Sequence, residues 1–353
     1  MKGINSAALI IALIVLGSIS CTPGYEKDIS KGIQLCQKGD LQKGMRSIER
    51  GIIDYATIEV FNTPFINFNE TVLYSRNEKL SILYPVMFDY HGNIQGNTYG
   101  IYYHAVSDRL VIGNTVNIDI YGGDGTRISS IDLKSHDVKN IKSFIINGND
   151  LILYHDGSLS SFSLDTLQRN DFVEGKFSPP FKGLSYNVIM RAAKNIVAIT
   201  VGIAGSYHLS IIDSMDKSVM IRNMSVSSSR LYLNEKYIYY ITGTSGSWFV
   251  ERMSLSSEEK KKLHKFEDLV DIHFFQGGMI LEKREGPWIV DLNSGRAIRL
   301  SLSARVMAVI DDNVLMKGEK KYYLIDVKKL LQKVTALSGR LPGIFKSDDN
   351  FFM

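Results

Sequence analysis

Cysteine and tryptophan are nearly absent, with two of each in 353 residues. Two cysteines, Cys21 and Cys36, cannot build the dense disulfide framework of a small secreted scaffold. They are too few for a cysteine-rich zinc cluster. The histidines, His91, His104, His136, His155, His208, His264 and His273, lack the paired spacing that sets two ligands on one face. No metal is therefore expected. Charge of one sign is lacking too: 41 Lys and Arg stand against 37 Asp and Glu, a formal +4. Without a basic block to neutralise a row of phosphates, nucleic acid is not expected as a partner. The longest charge run, EEKKKLHK from Glu258 to Lys265, mixes both signs and reads as a solvated loop or an edge strand.

Motifs of catalysis are missing as well. Gly243-Thr244-Ser245-Gly246-Ser247 has the wrong spacing for a hydrolase nucleophile elbow and joins two β-type segments, which makes it a hairpin loop. Gly122-Gly123-Asp124-Gly125 completes neither a dinucleotide fingerprint nor a phosphate loop, and no helix follows; a hairpin turn explains it. No EF-hand spacing occurs. The chain is thus expected to be no enzyme and to carry no cofactor. With 44% hydrophobic and 22% charged residues it is an ordinary globular composition that can bury a full core.

The amino terminus is more specific. Lys2 precedes an apolar stretch, Ala7 to Gly17, that is shorter than the roughly 20 residues of a membrane span and of signal-peptide length. Leu16-Gly17-Ser18-Ile19-Ser20 then leads into Cys21. This resembles the lipobox of bacterial lipoproteins, with Ser18 where that family usually has an aliphatic residue and Leu16 as an aliphatic anchor further back. The resemblance implies cleavage before Cys21, a diacylglyceryl group on its thiol, and a protein held to a membrane by several acyl chains. Cys36 is then a lone thiol, buried as a small hydrophobe. An ordinary secretory signal cleaved near Ser20, and a Cys21 to Cys36 bridge, are the competing assignments.

After a polar tether over Thr22 to Glu26, helical spacing begins at Asp28: Ile29, Ile33, Leu35 and Cys36, a break at Gly39-Asp40, then Leu41, Met45, Ile48 and Ile52. Two short helices joined by a tight turn follow from it. Gln37 to Ile52 (QKGDLQKGMRSIERGI) resembles half of a tetratricopeptide repeat. Gly44 and Gly51 replace its usual alanines, a change that weakens a helix by about 1 kcal/mol each. Only one such unit is visible, and such repeats need three or more to bury their faces. A plain hairpin is the simpler assignment.

From about Pro64 onward, short β-rich runs recur behind turn dipeptides. Their first apolar residues are Val72, Leu110, Leu151, Ile196, Tyr237, Met279 and Val314, six steps spanning 242 residues. The mean step of about forty is the length of a propeller blade. Each marker strand has an apolar run before it and another after it, as in FIIN, LILY and SLSSFSL. The third run often ends in an acidic turn, at Asp165, Asp213 or Asp291, where Asp and Asn bond their own backbone. Central runs such as Ile196 to Thr200 are continuously apolar, as burial on both faces requires. This resembles quinoprotein-like and related bacterial β-propellers over roughly Thr57 to Val334. A Trp-Asp dipeptide is absent, and Trp248 and Trp288 alone argue against a quinone cofactor. Thr57 to Phe61 (TIEVF) is expected to supply the outer strand of the last blade.

The expected organisation is a lipoprotein signal peptide at 1–20, a tether and helical hairpin at 21–54, a β-propeller at 55–337 and a carboxy-terminal tail at 338–353. Seven blades are expected, with six or eight as alternatives. The expected role is a protein-binding scaffold in the cell envelope, anchored through lipid on Cys21 to a bacterial membrane, the outer rather than the inner, and facing away from the cytoplasm. In architecture it resembles the propeller lipoproteins of the outer-membrane β-barrel assembly machinery. Two other readings stay open. One is a receptor or enzyme for a small ligand or carbohydrate in the central pocket, for which Asp156, Asp165, Asp213 and Asp291 would have to ring one mouth. The other is a structural surface antigen.

Overall fold

The structure is a computed structural model. It describes residues 23–338 apart from 63–64, 69–70, 77–78, 85, 90–97, 105–107, 171, 173–176, 178–185, 204, 245, 268, 285, 293–296, 300–303 and 311. The signal-like segment and Cys21 lie outside the described residues. The described residues divide into two compact units, one of helices (23–57 and 328–338) and one of strands (58–327).

In the helical unit, α1 (Gly24–Gln37) and α2 (Leu41–Ala56) form the hairpin. Helix α1 begins inside the segment read as tether: Pro23 takes the N-cap position and Glu26 falls in the first turn, where a carboxylate meets free backbone N–H groups. At the bend Gly39 adopts φ 90°, which favours glycine, and Asp40 caps α2 by accepting from the Lys43 backbone N–H at 3.3 Å. Ile29, Cys36, Ile48, Ile52 and Ile53 are buried along the seam. Cys36 is a free thiol, and burial followed by the nearby Asp40 charge pushes its pKa up. The glycines have a role that propensity does not show. A Cβ on Gly44 would stand 2.3 Å from Cys36 Sγ and 2.8 Å from the Gly32 carbonyl oxygen; one on Gly51 would stand 2.5 Å from the Tyr25 carbonyl oxygen. The helices approach so closely that only hydrogen fits there.

A third helix, α3 (Val327–Ser338), belongs to the same unit from Lys328 onward. The sequence pattern places the end of the propeller at 337 and the tail from 338; the last strand instead ends at Asp326. The signal for the helix is present: Val327, Leu330, Val334 and Leu337 are all buried at steps of three and four.

Among the described residues the strands form seven four-stranded sheets, and the unit is a β-propeller. Six sheets follow one another along the chain, at 65–89, 98–132, 141–170, 186–226, 231–266 and 269–299. The seventh joins Arg305–Ile310, Asn313–Lys317 and Tyr322–Asp326 to the strand Thr57–Phe61, which pairs at the outer edge. First strands of successive sheets touch one another from the first sheet to the seventh, so they line the axis. At the closure, Phe65 of the first sheet meets Phe61 and Tyr322 of the seventh edge to face, at 5.2 and 5.1 Å between ring centres.

Side-chain alternation explains the continuous apolar runs. In the strand Asp150–His155, Leu151 and Leu153 pack toward the second sheet with Val111 and Ile120, while Ile152 and Tyr154 pack toward the fourth with Val197 and Ile199. The next central strand repeats this, with Val197 and Ile199 facing back and Ile196 and Ala198 facing the fifth sheet. A strand that contributes to two interfaces has no polar face. Each fully buried Leu or Ile contributes about 1.5–3 kcal/mol of transfer free energy.

Candidate functional site

The first strands converge on the axis, where a cavity of about 230 Å³ opens between the second, third and fourth sheets. Gly100, Ile101, Ser143, Met190, Arg191 and Arg230 line it, and Arg191 Nη1 donates to the Met190 carbonyl oxygen at 3.0 Å.

Arg230 leads from the cavity into a chain of charges crossing three sheets. It precedes the first strand of the fifth sheet and grips Asp271 of the sixth with two bonds, Nη2 to Oδ2 at 2.9 Å and Nε to Oδ1 at 3.3 Å. The Ile272 backbone N–H donates to the same Oδ1 at 2.8 Å. His273 follows two residues later on the same strand and so faces the same side. Glu282 lies directly across from Asp271 in the register of the next strand. His273 Nε2 sits 3.5 Å from Asp271 Oδ2 and 3.8 Å from Glu282 Oε2. The other Glu282 oxygen accepts from the Val306 backbone N–H of the seventh sheet.

Two carboxylates opposite each other on one face repel, and the Arg230 guanidinium relieves that. Burial works against the charged form of Asp271. The guanidinium bond and the neighbouring His273 outweigh it, and the carboxyl is held below the usual carboxylate range. His273 is buried, and its Nε2 makes no hydrogen bond within the described residues.

Among the described residues Asp271, His273 and Glu282 are also the one group of donors close enough to share a metal ion, their atoms lying within 4.8 Å of one another. Against that use, Arg230 already brings positive charge to Asp271 Oδ2, and Glu282 is half engaged by backbone. The arrangement works as a charged tie between the fifth, sixth and seventh sheets. In the sequence Asp271-x-His273 looks like any strand alternation, and Glu282 joins it only through cross-strand register.

The acidic turn residues do not assemble into a site. Asp156 accepts from Asn140 Nδ2 at 2.7 Å, Asp165 from Asn149 Nδ2 at 2.9 Å and Arg109 at 3.2 Å, and Asp213 from Asn195 Nδ2 at 2.7 Å. Each ties its turn to a neighbouring one, and Asp165 also to Arg109 of the second sheet. Gly122 to Gly125 form a hairpin turn in which Asp124 Oδ1 accepts from the Thr126 backbone N–H at 2.9 Å and its hydroxyl at 2.6 Å. Thr244 pairs with Ser247 across a two-residue hairpin. Lys260–Phe266, from the charged run, is the outer strand of the fifth sheet, where exposed lysines discourage pairing with another edge.

No protein-family model matches the chain, and no curated protein does. Solved structures do resemble it. The Pan2 WD40 domain of Neurospora crassa aligns over 75% of this chain and 88% of its own length at 9% identity and a TM-score of 0.46. PorZ, a surface component of the type-IX secretion system of Porphyromonas gingivalis, aligns over 77% of this chain and 38% of its own at 16% identity and a TM-score of 0.47. The extracellular domain of BT4673 from B. thetaiotaomicron aligns over 77% and 39% respectively, at 14% identity and a TM-score of 0.41. At such identities the likeness concerns fold alone.

Proposed function

We propose that this chain is a lipoprotein of the bacterial cell envelope, anchored through acyl chains on Cys21, whose propeller serves as a binding scaffold for another envelope protein. The observation that carries the reading is the apolar stretch Ala7 to Gly17 running into Cys21 ahead of a propeller. No helix among the described residues is long and apolar enough to cross a membrane; lipid is the means of attachment we assign from the segment Leu16 to Cys21. The outer membrane is the proposed site. The propeller suits a scaffold because its sheets hold one another rigidly while the connecting turns are free to present side chains to a partner.

The test is twofold. Mass spectrometry of the amino-terminal peptide should find Cys21 carrying diacylglycerol, and Cys21→Ala should release the protein from membranes. Cross-linked bait retrieved from envelopes should bring down one partner in stoichiometric amount. Repeated retrieval without one would remove the scaffold role.

The axial cavity favours a second reading, a receptor for a small anionic ligand held by Arg191. A carboxylate or phosphate compound that raises the melting temperature of the wild type but not of Arg191→Ala would support it over the scaffold.

A further inference from the structure

We infer that, in the anchored protein, the end of the helical unit bearing Tyr25, Tyr55 and Lys333 rests on the headgroup layer of an anionic phospholipid membrane. This builds on the proposed lipid at Cys21 and names the surface that the anchor brings into contact.

Reach is the first reason. Four residue steps separate Cys21 from Tyr25, and an extended chain spans at most about 3.6 Å per residue, so the Tyr25 backbone lies within about 14 Å of the lipidated residue. Helix α1 starts at Gly24, which leaves no long linker to lift the unit away.

Chemistry is the second. The hairpin is antiparallel, so the end of α2 returns to the start of α1, and α3 joins them there. The Tyr25 and Tyr55 rings meet edge to face at 5.1 Å, and Lys333 Nζ stands 5.5 and 4.8 Å from their centres. Three helices thus gather two half-buried tyrosines and a cation at the end nearest the anchor. Rings with one apolar body and one polar tip, beside an ammonium group, suit the boundary between acyl chains and headgroups.

Charge is the third. The described helical residues, 23–57 and 328–338, hold nine Lys and Arg against five Asp and Glu, a net +4. The whole chain has 41 against 37, so the remaining residues hold thirty-two of each sign. All of the net positive charge belongs to the unit beside the anchor. Of these basic residues Lys27 and Lys333 belong to the end nearest the anchor, while Lys38 and Lys43 stand at the far end of the hairpin; basic groups at a membrane surface are drawn to anionic lipid.

Spin labels on the full lipidated protein, reconstituted in vesicles of phosphatidylcholine with one quarter phosphatidylglycerol, test this. One label replaces exposed Lys27 in the first turns of α1; the other replaces exposed Lys43, beyond the far end of that helix, which is roughly 20 Å long. We expect the label at 27 to be shielded several-fold from a water-soluble relaxing agent relative to the label at 43. Lys333→Glu, or pure phosphatidylcholine, should remove most of that difference. Equal exposure of both labels, in protein whose Cys21 peptide carries lipid by mass spectrometry, would overturn the surface and leave the anchor standing. Shielding that persists unchanged in Lys333→Glu would overturn it too. A Cys21 peptide without lipid would overturn the anchor and the surface together.

Discussion

The two units of this chain solve one packing problem in opposite ways. In the strand unit, sheets are held apart by full-sized side chains, and the central strands Asp150–His155, Ile196–Ile203 and Tyr237–Thr244 bury Val, Ile, Leu, Ala or Tyr on both faces. In the helical unit, the backbones come together where side chains are missing, at Gly32, Gly44 and Gly51. Strand packing is written in residues that are present, helix packing here in residues that are absent. A pattern of apolar side chains reveals the first kind and is blind to the second.

Breaking the strand unit at its closure should give the largest effect. Replacing Thr57–Phe61 by a Gly/Ser segment of equal length removes the outer strand of the seventh sheet and the Phe61 contact that joins it to the first. A loss above about 5 kcal/mol, with a broadened urea transition, is expected, since even one buried Phe→Ala costs about 3–5 kcal/mol. An unchanged transition would show that the ring does not depend on the amino-terminal strand. Phe162→Ala, between the second and third sheets, should cost that 3–5 kcal/mol alone, because Phe162 is fully buried among Val111, Ile120 and Leu151.

Gly44→Ala distinguishes the two modes by its sign. Propensity says that alanine should stabilise α2 by about 1 kcal/mol. The contacts at 2.3 and 2.8 Å say that it should push the helices apart and destabilise by about 1–3 kcal/mol. Thermal unfolding followed by helix circular dichroism decides, and a raised midpoint would refute the close-packed seam. The sequence supplies both halves of this question; only the placement of Gly44 against Cys36 answers it.

Legibility in the sequence followed the same division. The forty-residue step and the closing strand TIEVF come from runs of residues with a local period, and each has a counterpart in the sheets; of the turn dipeptides, Asn69-Glu70 lies outside the described residues. Helix α3 was readable in principle from Val327, Leu330, Val334 and Leu337, but it follows directly on a strand without a loop to mark the change. The charged tie was not readable. Asp271 and His273 are neighbours by alternation, whereas Arg230 reaches them from another sheet and Glu282 by register, and neither relation leaves a trace in spacing.

Arg230→Gln should have a smaller effect, about 1 kcal/mol, because the Arg230 and Asp271 side chains are 43% and 33% exposed and water screens them. Its clearer mark lies in acid. The depressed pKa of Asp271 stabilises the fold at pH above the unfolded carboxylate value and is lost as pH falls through the folded one. Without the guanidinium, acid unfolding of the variant should begin at higher pH. Identical acid transitions would show that the tie is ornamental.

The faintest expected effect separates a strand core from its surface. His155 is buried in the third sheet, with Nε2 2.7 Å from Ser160 Oγ. Burial, followed by the charge of Arg169, lowers its pKa against the opposing pull of Asp156 and Asp137. The neutral ring is therefore the folded form, while the unfolded chain takes up a proton near pH 6.5. Stability should be level with respect to this group above pH 6.5 and decline as pH falls from there through the folded value, since the unfolded state then binds more protons. His155→Gln keeps a polar partner for Ser160 and removes the titration, so its urea midpoint should vary less between pH 7 and pH 5 than that of the wild type. Equal slopes would mean that the ring is charged inside the sheet, and that the third blade tolerates there a cation that its apolar neighbours should exclude.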